Sequence, residues 1–185
     1  MLENELIAHG SATLARLKAG SLFSVPLADA GSPAIHALNQ CLEPRGVTLT
    51  RLRLRQGRAL MYLYRPDALA VILGRSDVRS FLLSVGYDDC RPAAALVTLR
   101  RRLARQGGFP HEIGVFLGYP LADVTGFIRH QGRDALCTGC WKCYANPDDA
   151  LRAFARLRRC QSAYEDAFRH GLPLERLTVP SVPIQ

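Results

Sequence analysis

An α+β fold is predicted by three features of this sequence. Strand and helix patterns do not alternate strictly as they would in a doubly wound α/β protein. One stretch, residues 47–65, reads as a clean β-hairpin. Counted with that hairpin, the periodicity gives about five strands and six or seven helices. These observations predict one α+β domain over residues 1–177, with a mixed or mostly antiparallel sheet of about five strands and a central hairpin. Residues 178–185, with Pro180 and Pro183, read as an extended tail.

The elements follow in order. Residues 3–18 hold a short helix with Leu6, Ile7, Leu14 and Leu17 as its apolar positions. Residues 22–27 read as a strand. Gly31-Ser32-Pro33 opens a helix, since Ser32 can cap it and Pro33 suits the first turn. That helix stops before Pro44 and Gly46. Residues 47–55 alternate, placing Val47, Leu49, Arg51, Arg53 and Arg55 on one face. Gln56-Gly57 turns the chain, and residues 58–65 return with Leu60, Tyr62 and Tyr64 on one side. Helices are expected at about 67–74, 76–85 and 92–106, the last with Leu96, Leu99 and Leu103 on one face and its arginines largely elsewhere. Gly107-Gly108-Phe109-Pro110 breaks the chain. The apolar run 112–117 reads as a strand, 121–130 as a helix and 139–145 as a last strand. Asn146-Pro147-Asp148 caps a long helix that Gly171 closes.

Composition narrows the class. The 185 residues are 48% hydrophobic and 22% charged, ordinary globular values that exclude disorder and a disulfide mini-scaffold. No apolar run reaches the ~18 residues of a membrane span. The start MLENELIAHG lacks the basic and apolar regions of a signal peptide, so a soluble cytoplasmic protein without a membrane partner is expected. Net charge is +8, and all but two of the 24 basic residues are arginine. The two lysines, Lys18 and Lys142, are therefore informative: a site that needs a compact amine cannot accept a guanidinium.

Three segments could carry chemistry. His111 and Glu112 stand at the entrance of the apolar run, where either can move protons if a pocket opens there. On a strand they would face opposite ways unless a bend intervened. Cys137, Cys140 and Cys143, with the later Cys160, have the ligand count for zinc or an iron–sulfur cluster, or could form a redox-active thiol pair. Against a metal, Cys140 and Cys143 on one strand would point to opposite faces. Arg51, Arg53, Arg55, Arg58 and Arg65 could form a phosphate-binding stripe, the face of a nucleic-acid or protein interaction module. No helix-turn-helix, RNP or KH motif accompanies them, which argues against nucleic acid. No Gly-rich phosphate loop, GxSxG or HExxH occurs, so the residues name no cofactor. They also leave the oligomeric state open.

Residues 109–120 (FPHEIGVFLGYP), then 123–128 (DVTGFI), then 139–144 (GCWKCY) and a helix holding Ala150, Phe154 and Cys160 resemble a bacterial family named domain of unknown function 3793. Residues 14–23, with Lys18 and Leu22, and residues 81–87 fit it too, so the resemblance covers about residues 5–177. It implies a stand-alone bacterial protein found largely in anaerobes. Where the family usually has a cysteine after its N-terminal histidine, this chain has Gly10 after His9. An aromatic residue and a valine usually flank its Trp-Lys pair; here Cys140 and Cys143 do. Metal ligands peculiar to one member would not carry a shared chemistry. The resemblance leaves His9, Lys18, His111, Glu112, Tyr119, Asp123, Trp141, Lys142 and Tyr144 as candidate site residues. The function expected is small-molecule or cofactor binding, with enzymatic activity as one form of it. Lys18 and Lys142 supply charge or an amine, His111 or Glu112 handles protons, Trp141 and Tyr119 wall a pocket, and His9, Asp123 and Tyr144 contact the ligand.

Overall fold

The computed structural model describes residues 2–105 and 108–181. Residues 106 and 107, where the third central helix was expected to end and the chain to break, lie outside them, as do the last four residues of the expected tail. The chain divides into two compact units, Met1–Leu69 with Cys160–Gln185, and Ala70–Arg159.

The first unit is built on a three-stranded antiparallel sheet. Its strands are β1 (Gly20–Pro26), β2 (Thr48–Arg55) and β3 (Arg58–Tyr64), in the order β1-β3-β2. The predicted hairpin is thus present, with Gln56 and Gly57 both at positive φ in its turn, as a two-residue connection between right-twisted strands requires. Helices α1 (Leu2–Leu14) and α2 (Ser32–Leu42) pack on one face. Phe23, Val25, Leu49, Met61 and Leu63 form a buried cluster there with Leu6, Ile7 and Leu14 of α1 and Leu38 and Leu42 of α2. Gly10 permits the close approach of α1: a Cβ there would lie 2.6 Å from Leu63 Cδ2. β2 is an edge strand, and Asn39 of α2 covers part of that edge. Its side-chain amide both donates to the Leu49 carbonyl (2.9 Å) and accepts from the Leu49 N–H (2.8 Å), satisfying groups an edge leaves open. Ser32 does not cap α2; Gly31 occupies that position, with no side-chain bond.

The arginine stripe is not a single face. A bulge between Arg51 and Arg53 shifts the register, so Arg51 pairs with Met61 but Arg53 pairs with Leu60 and Arg55 with Arg58. One extra residue reverses the facing of everything beyond it. Arg51 therefore lies on the core side, where it donates to the Ala30 carbonyl (3.3 Å), while Arg53, Arg55 and Arg58 share the other side. Arg65 is not surface charge at all. It is 1% exposed and donates to the carbonyls of Thr13 (2.7 Å), Leu14 (2.6 Å) and Val179 (2.7 Å).

The second unit is mostly helical. It contains the end of α3 (Pro66–Gly74), then α4 (Ser76–Ser84), α5 (Pro92–Ala104), a short α6 (Ile113–Phe116), α7 (Leu121–His130) and the first part of α8 (Pro147–Arg169). A small antiparallel hairpin joins β4 (Cys137–Thr138) to β5 (Lys142–Cys143). The later part of α8 belongs to the first unit, where Tyr164, Ala167 and Phe168 pack against the core cluster, and α9 (Leu174–Leu177) adds Leu174 and Leu177 to it.

The α+β class and the total of about five strands stand, but the strands form sheets of three and two rather than one of five. Two expected strands are corrected. Residues 112–117 are all buried and include the short helix α6. A fully apolar run without period reads alike as buried strand or buried helix. Pro110 opens this turn, and Gly118, at φ +77°, closes it, with Tyr119 N–H bonding back to the Gly114 carbonyl (2.9 Å). The expected strand 139–145 is instead a turn at 139–141 between the two short strands, because the chain reverses at Gly139 and Cys140. A Cβ on Gly139 would meet the Phe154 ring at 2.3 Å, so only glycine lets the turn lie on α8.

Candidate functional site

The candidate residues fall in both units. His9 and Lys18 belong to the first. His9 lies on α1, 3.4 Å from Glu5 and stacked on Phe23 with centroids 5.8 Å apart. Lys18 sits in the loop after α1, half-buried, with its backbone N–H on the Ala12 carbonyl (3.1 Å). The rest belong to the second unit and form two groups.

The first group centres on Asp123, in the opening turn of α7 and 4% exposed. Its Oδ2 accepts from Trp141 Nε1–H (2.8 Å), and its Oδ1 accepts from the N–H groups of Tyr144 (2.7 Å) and Ala145 (3.1 Å). A carboxylate there also sits favourably at the positive end of the helix. The residue thus clamps the β4–β5 hairpin onto α7. Trp141 packs edge-on against Phe154 (4.6 Å) and stacks on Tyr119 (5.1 Å). Tyr119 donates its hydroxyl proton to the Cys140 carbonyl (3.1 Å), and burial followed by the nearby Cys140 thiol pushes it up to about 12. Lys142 donates to the Gly132 carbonyl (2.5 Å). Tyr144 stacks on His130 (5.5 Å). Tyr119, Asp123, Trp141, Lys142 and Tyr144 therefore do converge, but each named polar group except the Tyr144 hydroxyl is engaged in holding the hairpin.

The second group contains His111 and Glu112. The turn that replaces the expected strand lets both line one cavity of about 410 Å³, together with Arg102, Arg105, Phe109 and Ile128. Glu112 is 4% exposed. Its Oε1 lies 2.5 Å from Arg102 Nε and accepts from the Tyr87 hydroxyl at 3.3 Å. Arg102 also donates through Nη1 to the Val85 carbonyl (2.9 Å), which fixes its guanidinium plane and leaves Nη2 over. Glu112 is thus an anchor for Arg102 rather than a base open to solvent. His111 is exposed, its ring held between Phe127 (4.8 Å) and Phe109 (6.1 Å). Both ring nitrogens lack a hydrogen-bond partner among the described residues, as does the exposed Arg105 guanidinium. Arg102 and Arg105 against Glu112 leave one net positive charge, and His111 adds another when protonated. Sequence reasoning missed Arg102 and Arg105, which read as the solvated side of α5. The available signal was their position, Arg102 in the last turn of α5 and Arg105 just after it, shortly before the Phe-Pro-His segment.

The cysteines divide likewise. Cys137 and Cys143 are register partners across the hairpin, Cys140 is exposed in its turn and Cys160 lies in the first unit. All six cysteines are free thiols, and among the described residues no three His, Cys, Asp or Glu side chains are grouped to hold a metal ion. No helix among the described residues is long and apolar enough to cross a membrane.

No curated protein and no solved structure matches the chain. The family model described as "Protein of unknown function (DUF3793)" matches residues 6–178, nearly all of the chain and both groups of site residues. On that match, the resemblance carried by residues 109–144 is a membership: the chain belongs to the DUF3793 family.

Proposed function

We propose that the second unit binds a small molecule carrying an anionic group on an apolar or aromatic body, in the cavity beside His111. The observation that carries this reading is the pairing of uncommitted donors with apolar walls in one concave site. Arg105, His111 and Arg102 Nη2 point to an anion, while Phe109 and Ile128, each 38% exposed, offer apolar surface. Small-molecule sites typically combine such walls with a few polar groups that set orientation. The Glu112 pair holds Arg102 ready, so the ligand need not order it. The lysines expected to do this work are replaced here by arginines, whose planar fork suits carboxylate and phosphate.

The test uses two fluorescent probes, the aromatic sulfonate 8-anilinonaphthalene-1-sulfonate and its uncharged counterpart N-phenyl-1-naphthylamine. Ile128→Trp, which fills the cavity, should remove binding of both. Arg105→Gln should weaken the sulfonate about tenfold, the ~1.4 kcal/mol of one charge-assisted hydrogen bond, and leave the neutral probe unchanged. Unaltered binding of both probes to Ile128→Trp would overturn the site. Equal effects of Arg105→Gln on both probes would overturn its preference for anions.

A further inference from the structure

We propose that Cys137 and Cys143 form a thiol–disulfide exchange site whose substrate is a small-molecule disulfide. The pair is independent of the cavity beside His111. β4 and β5 set the two residues directly opposite one another as register partners. Opposed residues in an antiparallel pair have Cα atoms about 4.5–5.5 Å apart, inside the roughly 4.4–6.8 Å that a disulfide spans. The backbone around them is already held from outside. Asp123 takes the N–H groups of Tyr144 and Ala145 and the Trp141 indole, and Lys142 is tied to Gly132. A bond between the sulfurs therefore needs no rearrangement of the hairpin.

Exposure assigns the roles. Cys137 is half-buried and reachable, while Cys143 is fully buried. Cys137 loses its proton to solvent and its thiolate attacks one sulfur of the disulfide RSSR. That S–S bond breaks, the leaving thiolate takes up a proton as RSH, and Cys137 is left in a mixed disulfide. Cys143, deprotonated in turn, attacks the Cys137 sulfur and displaces the second RSH. The protein dithiol loses two electrons and two protons, and RSSR gains them. Burial first, and then the neighbouring Cys143 thiol, raise the Cys137 pKa, so the exchange accelerates as pH rises and more thiolate forms. Cys140, though more exposed, sits in the turn and off the ladder, and is not part of the pair.

The chain contains one tryptophan, and Trp141 lies within this hairpin, so its emission reports the reaction. The full chain is equilibrated with oxidised and reduced glutathione at a series of ratios. Intact mass, peptide mapping and Trp141 emission are then read. The expected result is a loss of two hydrogens in mass, a Cys137–Cys143 link and a change in Trp141 emission, all retained in Cys140→Ser. Cys143→Val should stop at the glutathione adduct on Cys137. Should that core substitution fail to fold, Cys137→Ser at the half-buried position must abolish the link and the emission change. A chain that forms no internal disulfide at any ratio, or one that links through Cys140, overturns the proposal.

Discussion

Asp123→Ala is expected to destabilise the second unit by about 4 kcal/mol. The carboxylate accepts three hydrogen bonds while 4% exposed. Bonds to a charged group are worth about 1.5–3 kcal/mol each, and a buried donor left unpaired bears its own desolvation cost. The Ala145 amide is exposed and can turn to water, which keeps the total below the simple sum. Asp123→Asn separates charge from geometry. Its oxygen can keep the two backbone bonds, but its NH₂ then faces the Trp141 N–H, donor to donor, and about 2 kcal/mol should be lost. The check is chemical denaturation followed by Trp141 emission, with hydrogen exchange at the Tyr144 and Ala145 amides. Both variants should red-shift Trp141 and lose protection at those amides. An Asp123→Ala protein within ~1 kcal/mol of the parent would show that the hairpin is held by apolar packing on Phe154 instead.

Arg65→Met should cost the first unit about 3 kcal/mol. Arg65 gathers the Thr13 and Leu14 carbonyls at the end of α1 and the Val179 carbonyl of the C-terminal segment. Helix-end carbonyls have no intrahelical partner; here Arg16 N–H (3.2 Å) and Val179 N–H (3.0 Å) give Thr13 and Leu14 one each, and Arg65 gives each carbonyl a charged donor. Burial, with the Arg16 guanidinium close by, pulls the Arg65 pKa down to about 10, so it stays charged at neutral pH. Methionine fills much of the volume and relieves the cost of burying the charge, but removes three charged donor bonds and leaves Thr13 and Leu14 with one backbone N–H each. Lysine keeps the charge yet cannot present a planar fork to several acceptors, and should recover less than half of the loss. Thermal unfolding should fall by roughly 6–12 °C for the methionine variant, at ~2–4 °C per kcal/mol for a chain of this size. Hydrogen exchange should show the loss concentrated in residues 1–69 and 160–181. A change confined to the Val179 segment alone would mean that Arg65 fastens the tail and not the helix end.

These two residues show where sequence reading stopped. Arg65 read as one more member of a basic stripe, because a lone arginine carries no sign of burial. What buries it is the meeting of α1, β3 and the C-terminal segment, from positions as far apart as Thr13 and Val179. Asp123 was singled out, but as a residue for ligand. Its partners, Trp141 and the amides of Tyr144 and Ala145, lie about twenty residues onward, and only the folded hairpin brings them to it. Glu112 and His111 came to line one cavity for a related reason: the run after them closed into a helical turn, not a strand.

Elements whose signals are local are legible in the amino-acid order alone. The β2–β3 hairpin, α2, α4, α5, α7 and α8 are written in side-chain period and in turn residues such as Gln56-Gly57, Gly86 and Gly171. Interactions within a few residues suffice to select them. The family was legible for the same reason, in the contiguous run from Phe109 to Tyr144. Tertiary structure decided what depends on distant partners. It placed the bulge that splits the arginines of β2 and chose helix for the buried run at 113–116. It also committed Asp123, Glu112 and Arg65 to buried hydrogen bonds and left Arg105 and His111 uncommitted beside a cavity. A buried polar group must find its partner wherever the fold supplies one, and that partner is seldom its neighbour in the chain.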